Sequence, residues 1–484
     1  MTSDTTILFL RRVATASALT LLSACASLAP DERVEARTPA QWVAPLPHQG
    51  SVAALSEWWE AQRDPVLVEL IRAAQEVSPT VSSARARVES QRAQQAAAEA
   101  KLLPSLNAQT SLRRGIALPG SALATRTDAG LQASWELDWL GANRQALRAA
   151  GGRVEGSAAQ WHEARVSVAA EVAQLYYSLR SCRRQAELLR EDAESRAQTA
   201  RLVELSARAG WSASAEAATA QASAAQSRSR LTQQLARCDI DIKGLVALTG
   251  VEEPALRARL PADSGAEPPT APFAIASLPA QLVSQRPDVY AAEREVVWAA
   301  AQVGSAQAAR LPRLSLDGSI TAVRLANGGG TQDYTLWTLG PLALDLPIFD
   351  AGQRRAAVDS ARAAYRDAVV AYQGRVRQAV REVEEALVNL RAGDERLNDT
   401  QLAAQGYARA LAATSARHAQ GMASLLELED ARRSAVAART EVESLVLAQR
   451  LNWISLYRAA GGGFTPGQPD PPATEAHPPA GSPR

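Results

Sequence analysis

The sequence predicts a mainly α-helical chain that repeats itself once and carries two pairs of β-strands meant for a membrane. Three observations carry that reading. Between Gly352 and about Ala419 there is no proline, and apolar residues fall on a heptad. Val358, Tyr365, Tyr372, Ala379 and Ala386 form one row, and Val369, Val376, Val383, Leu390 and Leu397 form the other. Such an a/d seam marks a long coiled-coil helix, and about 68 residues at 1.5 Å each make a rod roughly 100 Å long. The seam recurs 211 residues earlier, through Leu147, Val154, Trp161, Val168, Leu175, Cys182 and Leu189, with Ala158, Val172, Leu179 and Ala186 beside it. The same offset carries Gly421 to Gly210 and Glu427 to Glu216. The third observation is the absence of any apolar run near the ~20 residues that a membrane helix needs, so a membrane crossing has to use strands.

Taken in order, the chain opens with Arg11-Arg12, a short apolar run from Val13 to Leu22, and Leu22-Ser23-Ala24-Cys25. A basic start, a short apolar core and small residues read as a secretory signal over 1–24. Cysteine directly after Leu-Ser-Ala has the form of a lipobox, making Cys25 the lipidated first residue of the mature chain; ordinary cleavage after Ala24 or Ala26 is the alternative. Residues 25–65 form a tether. The first repeat, 66–250, holds two short helices, a strand pair at about 105–139 and a helical hairpin over 141–249. A Pro/Ala/acidic linker follows over 251–277. The second repeat, 278–461, has its strand pair at about 313–348, carried by Leu314–Ile320 and Tyr334–Leu346, and its hairpin over 352–460. Residues 462–484, rich in proline, form a disordered tail.

Along the second strand, Leu131, Ala133, Trp135, Leu137 and Trp139 alternate with Gln132, Ser134, Glu136 and Asp138. Apolar on one face and polar on the other suits a strand between lipid and a wet lumen. A half-buried strand of a soluble sheet would show the same alternation. Four strands do not close a membrane barrel, whose smallest single-chain form has about eight, so several chains would share one barrel; three would give 12 strands.

Composition narrows the function. Lysine plus arginine (52) nearly balance aspartate plus glutamate (51), for a formal charge of +1, which gives nucleic acid no electrostatic hold. His48, His162, His418 and His477 are scattered, and no metal-ligand spacing, phosphate loop or nucleophile elbow occurs. No enzyme, cofactor or metal is expected. Cys182 and Cys238 fall inside helices and read as small packing residues instead of a disulfide.

Several segments match one family in order and spacing. They are Leu22-Ser23-Ala24-Cys25, Trp58-Trp59 with Asp64-Pro65, Trp135-Glu136-Leu137-Asp138, Gln285-Arg286-Pro287-Asp288-Val289, Leu346-Pro347-Ile348-Phe349-Asp350-Ala351-Gly352, and Arg417-His418-Ala419-Gln420-Gly421-Met422-Ala423-Ser424-Leu425-Leu426-Glu427-Leu428. Together they resemble the outer-membrane factors, the TolC-like channels of Gram-negative bacteria, and among them the NodT-type lipoproteins. The resemblance implies a homotrimer with one 12-stranded barrel in the outer membrane, lipid-anchored, and a helical tunnel into the periplasm. It implies partners too: a periplasmic adaptor and an inner-membrane resistance-nodulation-division pump that drives small-molecule efflux. A type I protein-secretion duct, or a lipid-anchored coiled-coil scaffold without a pore, are the rival readings. Carried onto this chain, the resemblance makes Gly210, Gly421 and Ser424 adaptor-docking tips and puts Glu427 and Asp430 in an acidic ring at the periplasmic constriction. The alternative for that pair is a solvated face beside Arg432 and Arg433.

Overall fold

Helix ends in this chain are written by proline and by capping side chains. In the computed structural model, which describes residues 29–36, 38–44, 46, 58–116, 123–260 and 279–465, a turn of helix α1 (Trp58–Ala61) leads to α2 (Pro65–Val77), where Asp64 accepts from the Leu67 amide at 3.2 Å. Then come α3 (Pro79–Ala100), β1 (Ser105–Gly115), β2 (Ala124–Leu137), α4 (Ala142–Arg208) and α5 (Ser214–Thr249). Short helices α6 (Glu253–Arg259) and α7 (Pro279–Ser284) precede the second round: α8 (Pro287–Ala308), β3 (Arg313–Asn327), β4 (Gly330–Asp345), α9 (Gln353–Ala419) and α10 (Leu425–Ala459). The two rounds agree nearly residue for residue: 22 and 22 residues in α3 and α8, 67 and 67 in α4 and α9, 36 and 35 in α5 and α10. No described helix is long and apolar enough to cross a membrane. The signal sequence and Cys25 lie outside the described residues, as do most of the linker and the tail. Three elements depart from expectation. α6 lies inside the stretch read as linker, held by the fully buried Leu256. β3 and β4 meet at a tight turn, with the Gly329 amide donating to the Asn327 side chain at 3.0 Å, so both run further than their apolar residues suggested.

The chain forms two compact units, each drawing on both repeats. One comprises Ala86–Ala158, Ala291–Gly374 and the described part of Met1–Ala36. It contains the sheet, an antiparallel meander in the order β1-β2-β3-β4 that leaves β1 and β4 as open edges. Its registers place Ala108, Leu131, Ile320 and Trp337 in one row. Neighbouring rows on that face hold Leu106, Ala133, Gly318 and Leu339, then Trp135, Leu316 and Leu342, then Leu137, Leu314 and Leu344. The opposite face carries Asn107, Gln132, Ser319 and Thr338, with Ser105, Ser134 and Asp317 beside them. Cross-strand pairing thus gathers one apolar face and one polar face from strands that alternate imperfectly when read singly. Among the described strand residues only Val323 is buried. In the same unit, Val296, Ala299 and Ala368 form a small core with Val34, Trp298, Tyr365 and Tyr372.

The other unit comprises Arg37–Arg85, Ala159–Tyr290 and the described part of Arg375–Arg484. Here the heptad rows are buried: Val172 and Leu179 of α4, and Val376, Ala379, Val383 and Leu390 of α9. The family-like motifs at Trp58–Pro65 and Gln285–Val289 are structural corners of this unit. Asp64 accepts the Tyr176 hydroxyl at 2.8 Å and the Arg180 guanidinium at 3.0 Å. Trp58 stacks on Tyr457 at 4.9 Å. Arg286 is buried with Asp288 (2.9 Å), Glu382 (2.7 Å) and the Ala459 carbonyl (2.8 Å). His162 of α4 lies against Phe464 and is hydrogen-bonded to the Gly462 backbone, and burial pushes its pKa down to about 4.

The cysteines correct the sequence reading. Cys182 of α4 and Cys238 of α5 are joined in a disulfide, with Cα atoms 5.6 Å apart. Both helices had been foreseen, but 56 residues of sequence separation gave no hint that the seam position of one faces the other. A bridge of this kind belongs to an oxidising compartment such as the periplasm. Replacing both cysteines by alanine is expected to lower unfolding stability by about 4 kcal/mol, the chain-entropy scale for such a loop, read from the guanidinium midpoint of the detergent-solubilised protein. The pH dependence has a separate source in His162. Its folded pKa lies below the ordinary value near 6.5, so its stabilising contribution is complete above pH ~6.5 and is lost as pH falls toward 4. Melting curves across that window should show a fall that the His162→Phe protein lacks.

Candidate functional site: the hairpin tips

Both hairpins of the second unit turn on a glycine. At the first, the Gly210 amide donates to the Ala207 carbonyl (3.1 Å) and the Trp211 amide reaches Ser206 (2.9 Å). At the second, Gly421 donates to His418 (2.9 Å) and Met422 to Arg417 (2.8 Å). The closures match, and each needs positive φ, +76° at Gly210 and +72° at Gly421, a region that only glycine enters without cost. The turns expose apolar side chains, Trp211 at 87% and Met422 at 63%.

Beyond the second turn, Ser424 caps α10. Its hydroxyl accepts the Glu427 amide at 3.2 Å, and its own amide donates to the Glu427 carboxylate at 2.6 Å. This reciprocal capping box holds the exposed Glu427 carboxyl below its usual range, chiefly through the Ser424 amide. Asp430, also exposed, pairs with Arg433 one turn on. The first tip lacks such a cap, because Ala213 stands where Ser424 stands in the second.

Between the two sequence-chosen carboxylates lies a third, Glu429, that sequence reading passed over. It faces inward and joins three helices. Arg196 of α4 is paired with Asp192 at 2.9 Å and reaches Glu429 and the Ser223 hydroxyl of α5, the latter at 2.6 Å. Ser223 donates to Glu429 at 2.7 Å, and Arg432 holds Glu429 at 3.1 Å and Thr199 at 2.7 Å. Arg196 and Glu429 are 10% and 12% exposed. Two carboxylates face two guanidiniums, so the cluster is neutral and its polar atoms are occupied, the condition under which buried charge is tolerated. The i,i+4 and i,i+3 spacings were visible in the sequence; their shared burial depends on packing between α4, α5 and α10. Further along α4 and α10, Arg184 pairs with Glu443 at 2.6 Å and Arg439 with Glu191 at 3.0 Å. Leu425 packs on Ala200, Ala220 and Ala224. Nothing in this arrangement resembles a catalytic constellation; it is a polar clasp beside two exposed turns.

Comparison with known proteins gives one answer. The description "Outer membrane efflux protein" matches residues 70–251 and 278–462. The pyoverdine export outer membrane protein OpmQ of Pseudomonas aeruginosa is 29% identical over 462 residues, covering 93% of this chain and 96% of its own length. The toluene efflux pump outer membrane protein TtgI of Pseudomonas putida is 28% identical over 474 residues, covering 93% and 98%. Among solved structures, the open state of the MtrE outer membrane channel of Neisseria gonorrhoeae superposes with a TM-score of 0.77 at 25% identity, covering 90% of this chain and 98% of its own.

Truncating Glu429 to alanine leaves two buried guanidiniums, Arg196 and Arg432, with one carboxylate, Asp192, between them and should cost about 3–5 kcal/mol. Asp430→Ala, on the exposed side of the same turn, should cost under about 1 kcal/mol. Urea unfolding of the two proteins side by side checks the difference, and equal midpoints would show that the clasp carries no stability.

Proposed function

The chain belongs to the outer membrane efflux protein family, and from that premise we propose that three copies share one barrel and form the exit duct of a tripartite efflux system. The observation that carries this is the sheet. It has an apolar face, a polar face, two open edges and a single buried side chain. In lipid each unpaired backbone group costs several kcal/mol, so the β1 and β4 edges have to pair with other copies. Two copies would supply eight strands, whose interior side chains fill; three supply 12 and leave a lumen. The apolar rows run from residue 131 to residue 137 on β2, roughly 20 Å of strand, most of the roughly 25 Å apolar belt of outer-membrane barrels. A pore-less scaffold gives this amphipathic sheet no purpose.

The duct is anchored through lipidated Cys25 and extends into the periplasm, where a periplasmic adaptor and an inner-membrane resistance-nodulation-division pump engage it. The adaptor docks at the tips around Gly210, Gly421 and Ser424, where exposed Trp211 and Met422 offer apolar contact. Cargo is of the small-molecule class. OpmQ is named for pyoverdine export and TtgI for toluene efflux; relatives with such different cargoes fit a passive conduit whose selectivity resides in the pump.

Glu427 and Asp430 line the periplasmic constriction, where threefold symmetry brings their copies together. Crowded carboxylates there would gather cations and resist closer approach. Glu429 acts behind them, clasping α10 to α4 and α5 and favouring the closed arrangement.

Single-channel conductance in planar bilayers tests the whole reading. Wild type is expected to show a small resting conductance that rises severalfold in Asp430→Ala and in Glu427→Gln, a change that keeps the capping box. An unchanged conductance removes the constriction role while the duct stands. A folded, inserted protein that conducts nothing overturns the duct.

A further inference from the structure

On the unit that carries the sheet, a surface hollow of about 330 Å³ is bounded by Ala29 and Pro30 of the N-terminal segment, Val303 and Gln307 of α8, and Arg362 and Arg366 of α9. Tyr365 also lines it, but its ring packs into the small core and its hydroxyl donates to the Asp31 carbonyl at 2.8 Å. The two arginines are different. Among the described residues neither has a carboxylate within ion-pair distance or a hydrogen-bond acceptor, although Asp359 and Asp367 stand on the same helix. Other arginines of this unit are engaged: Arg148 with Glu32 at 3.0 Å, Arg153 with Glu295 at 3.0 Å, and Arg354 with Asp350 at 3.0 Å. An i,i+4 spacing puts Arg362 and Arg366 on one helix face, and paired guanidiniums match the geometry of a phosphate group.

The chain itself says where this hollow lies. Ala29 is four residues from Cys25, so an acylated Cys25 would sit within roughly 14 Å of it. The apolar face of the sheet belongs to the same unit. With Cys25 acylated and the strands in the membrane, a hollow of this volume, mixed apolar and cationic, would face the headgroup layer.

We propose that Arg362 and Arg366 form a binding site for the phosphodiester of a phospholipid headgroup from the periplasm-facing leaflet. The lipid rests beside the N-terminal segment and fixes the depth of the barrel in the membrane. The proposal builds on the membrane-spanning reading of the strands. It adds a specific ligand to a surface that this reading leaves open.

Native mass spectrometry of the full-length, detergent-solubilised protein tests it, titrating phosphatidylglycerol, phosphatidylethanolamine and diacylglycerol, the last lacking phosphate. Both phospholipids should be retained and diacylglycerol lost. Arg362→Ala/Arg366→Ala should weaken phosphatidylglycerol binding at least tenfold, while Arg355→Ala, on the same helix outside the hollow, changes nothing. Val303→Trp, which fills the hollow and keeps both charges, should lower retention as well and serves where the double variant folds poorly. Wild-type retention in the double variant and in Val303→Trp overturns the site. Displacement of the lipid by equimolar inorganic phosphate overturns the headgroup in favour of a free-phosphate site. Conductance of the same preparations separates this outcome from the fate of the duct: a conducting double variant with unchanged lipid removes the lipid site alone, and a silent wild type removes the duct while the titration still decides the site.

Discussion

The constraint on which the rest depends is the hydrogen-bonding demand of a sheet with two unpaired edges. Water satisfies such edges in a soluble protein; hydrocarbon does not. Four strands with an apolar face therefore commit the chain to partners before any helix is considered. The commitment is legible in the pairing: Leu131, Ile320 and Trp337 come from three strands and both repeats, yet the registers bring them to one row. β2 and β3 are hydrogen-bonded neighbours across the repeat boundary, so neither repeat owns a complete sheet. Duplication supplied the strand number, and the open edges supply the reason for assembly.

Helices in the second unit answer a different problem. Long helices rich in alanine bury little area per residue, so shape alone discriminates poorly between registers. The chain adds specific ties at intervals: Asp64 with Tyr176 and Arg180, Arg286 with Glu382 and Asp288, the Cys182–Cys238 bridge, and Glu429 with Arg196 and Arg432. Each joins groups far apart in sequence and fixes one helix against another at one place. Buried pairs of this kind add little net stability over apolar substitutes; their contribution is to penalise sliding. The same logic explains why the motifs at Asp64 and Arg286 hold helices in place.

Features with a short period in sequence were read correctly, and features made by juxtaposition were not. The long helices, their seams and the glycine turns follow from heptads, proline and φ-permissive residues, all local signals. β3 and β4 run past Leu314–Ile320 and Tyr334–Leu346 because cross-strand pairing continues to Asn327 and Gly330, with Arg324 bound to Asp333 across the strands, a partnership that neither strand shows alone. The Cys182–Cys238 bridge was rejected since a cysteine on a seam looks like any small apolar residue. Glu427 and Asp430 come from the family resemblance, while Glu429 between them carries no local signal because its burial depends on α4 and α5. α6 was lost in a stretch whose composition is that of a linker; one buried leucine, Leu256, holds it.

The bridge and the clasp together constrain how the tips rearrange. α4 and α5 are tied covalently at Cys182 and Cys238, and Gln234 adds hydrogen bonds to the Cys182 carbonyl and to Gln185 at 3.3 and 3.2 Å. α10 is held to that pair by ion pairs and hydrogen bonds around Glu429. Ion pairs exchange partners at a few kcal/mol when water or a new carboxylate enters, whereas a disulfide persists until it meets a thiol. A motion that draws α10 away from the α4–α5 pair breaks the hydrogen bond of Arg432 to Thr199 and the ion pair of Glu429 with Arg196. Asp192, already within 2.9 Å of it, keeps half of that charge compensated throughout. Glu429 likewise keeps Arg432 at 3.1 Å on its own helix, so the cost of release falls on the contacts between helices.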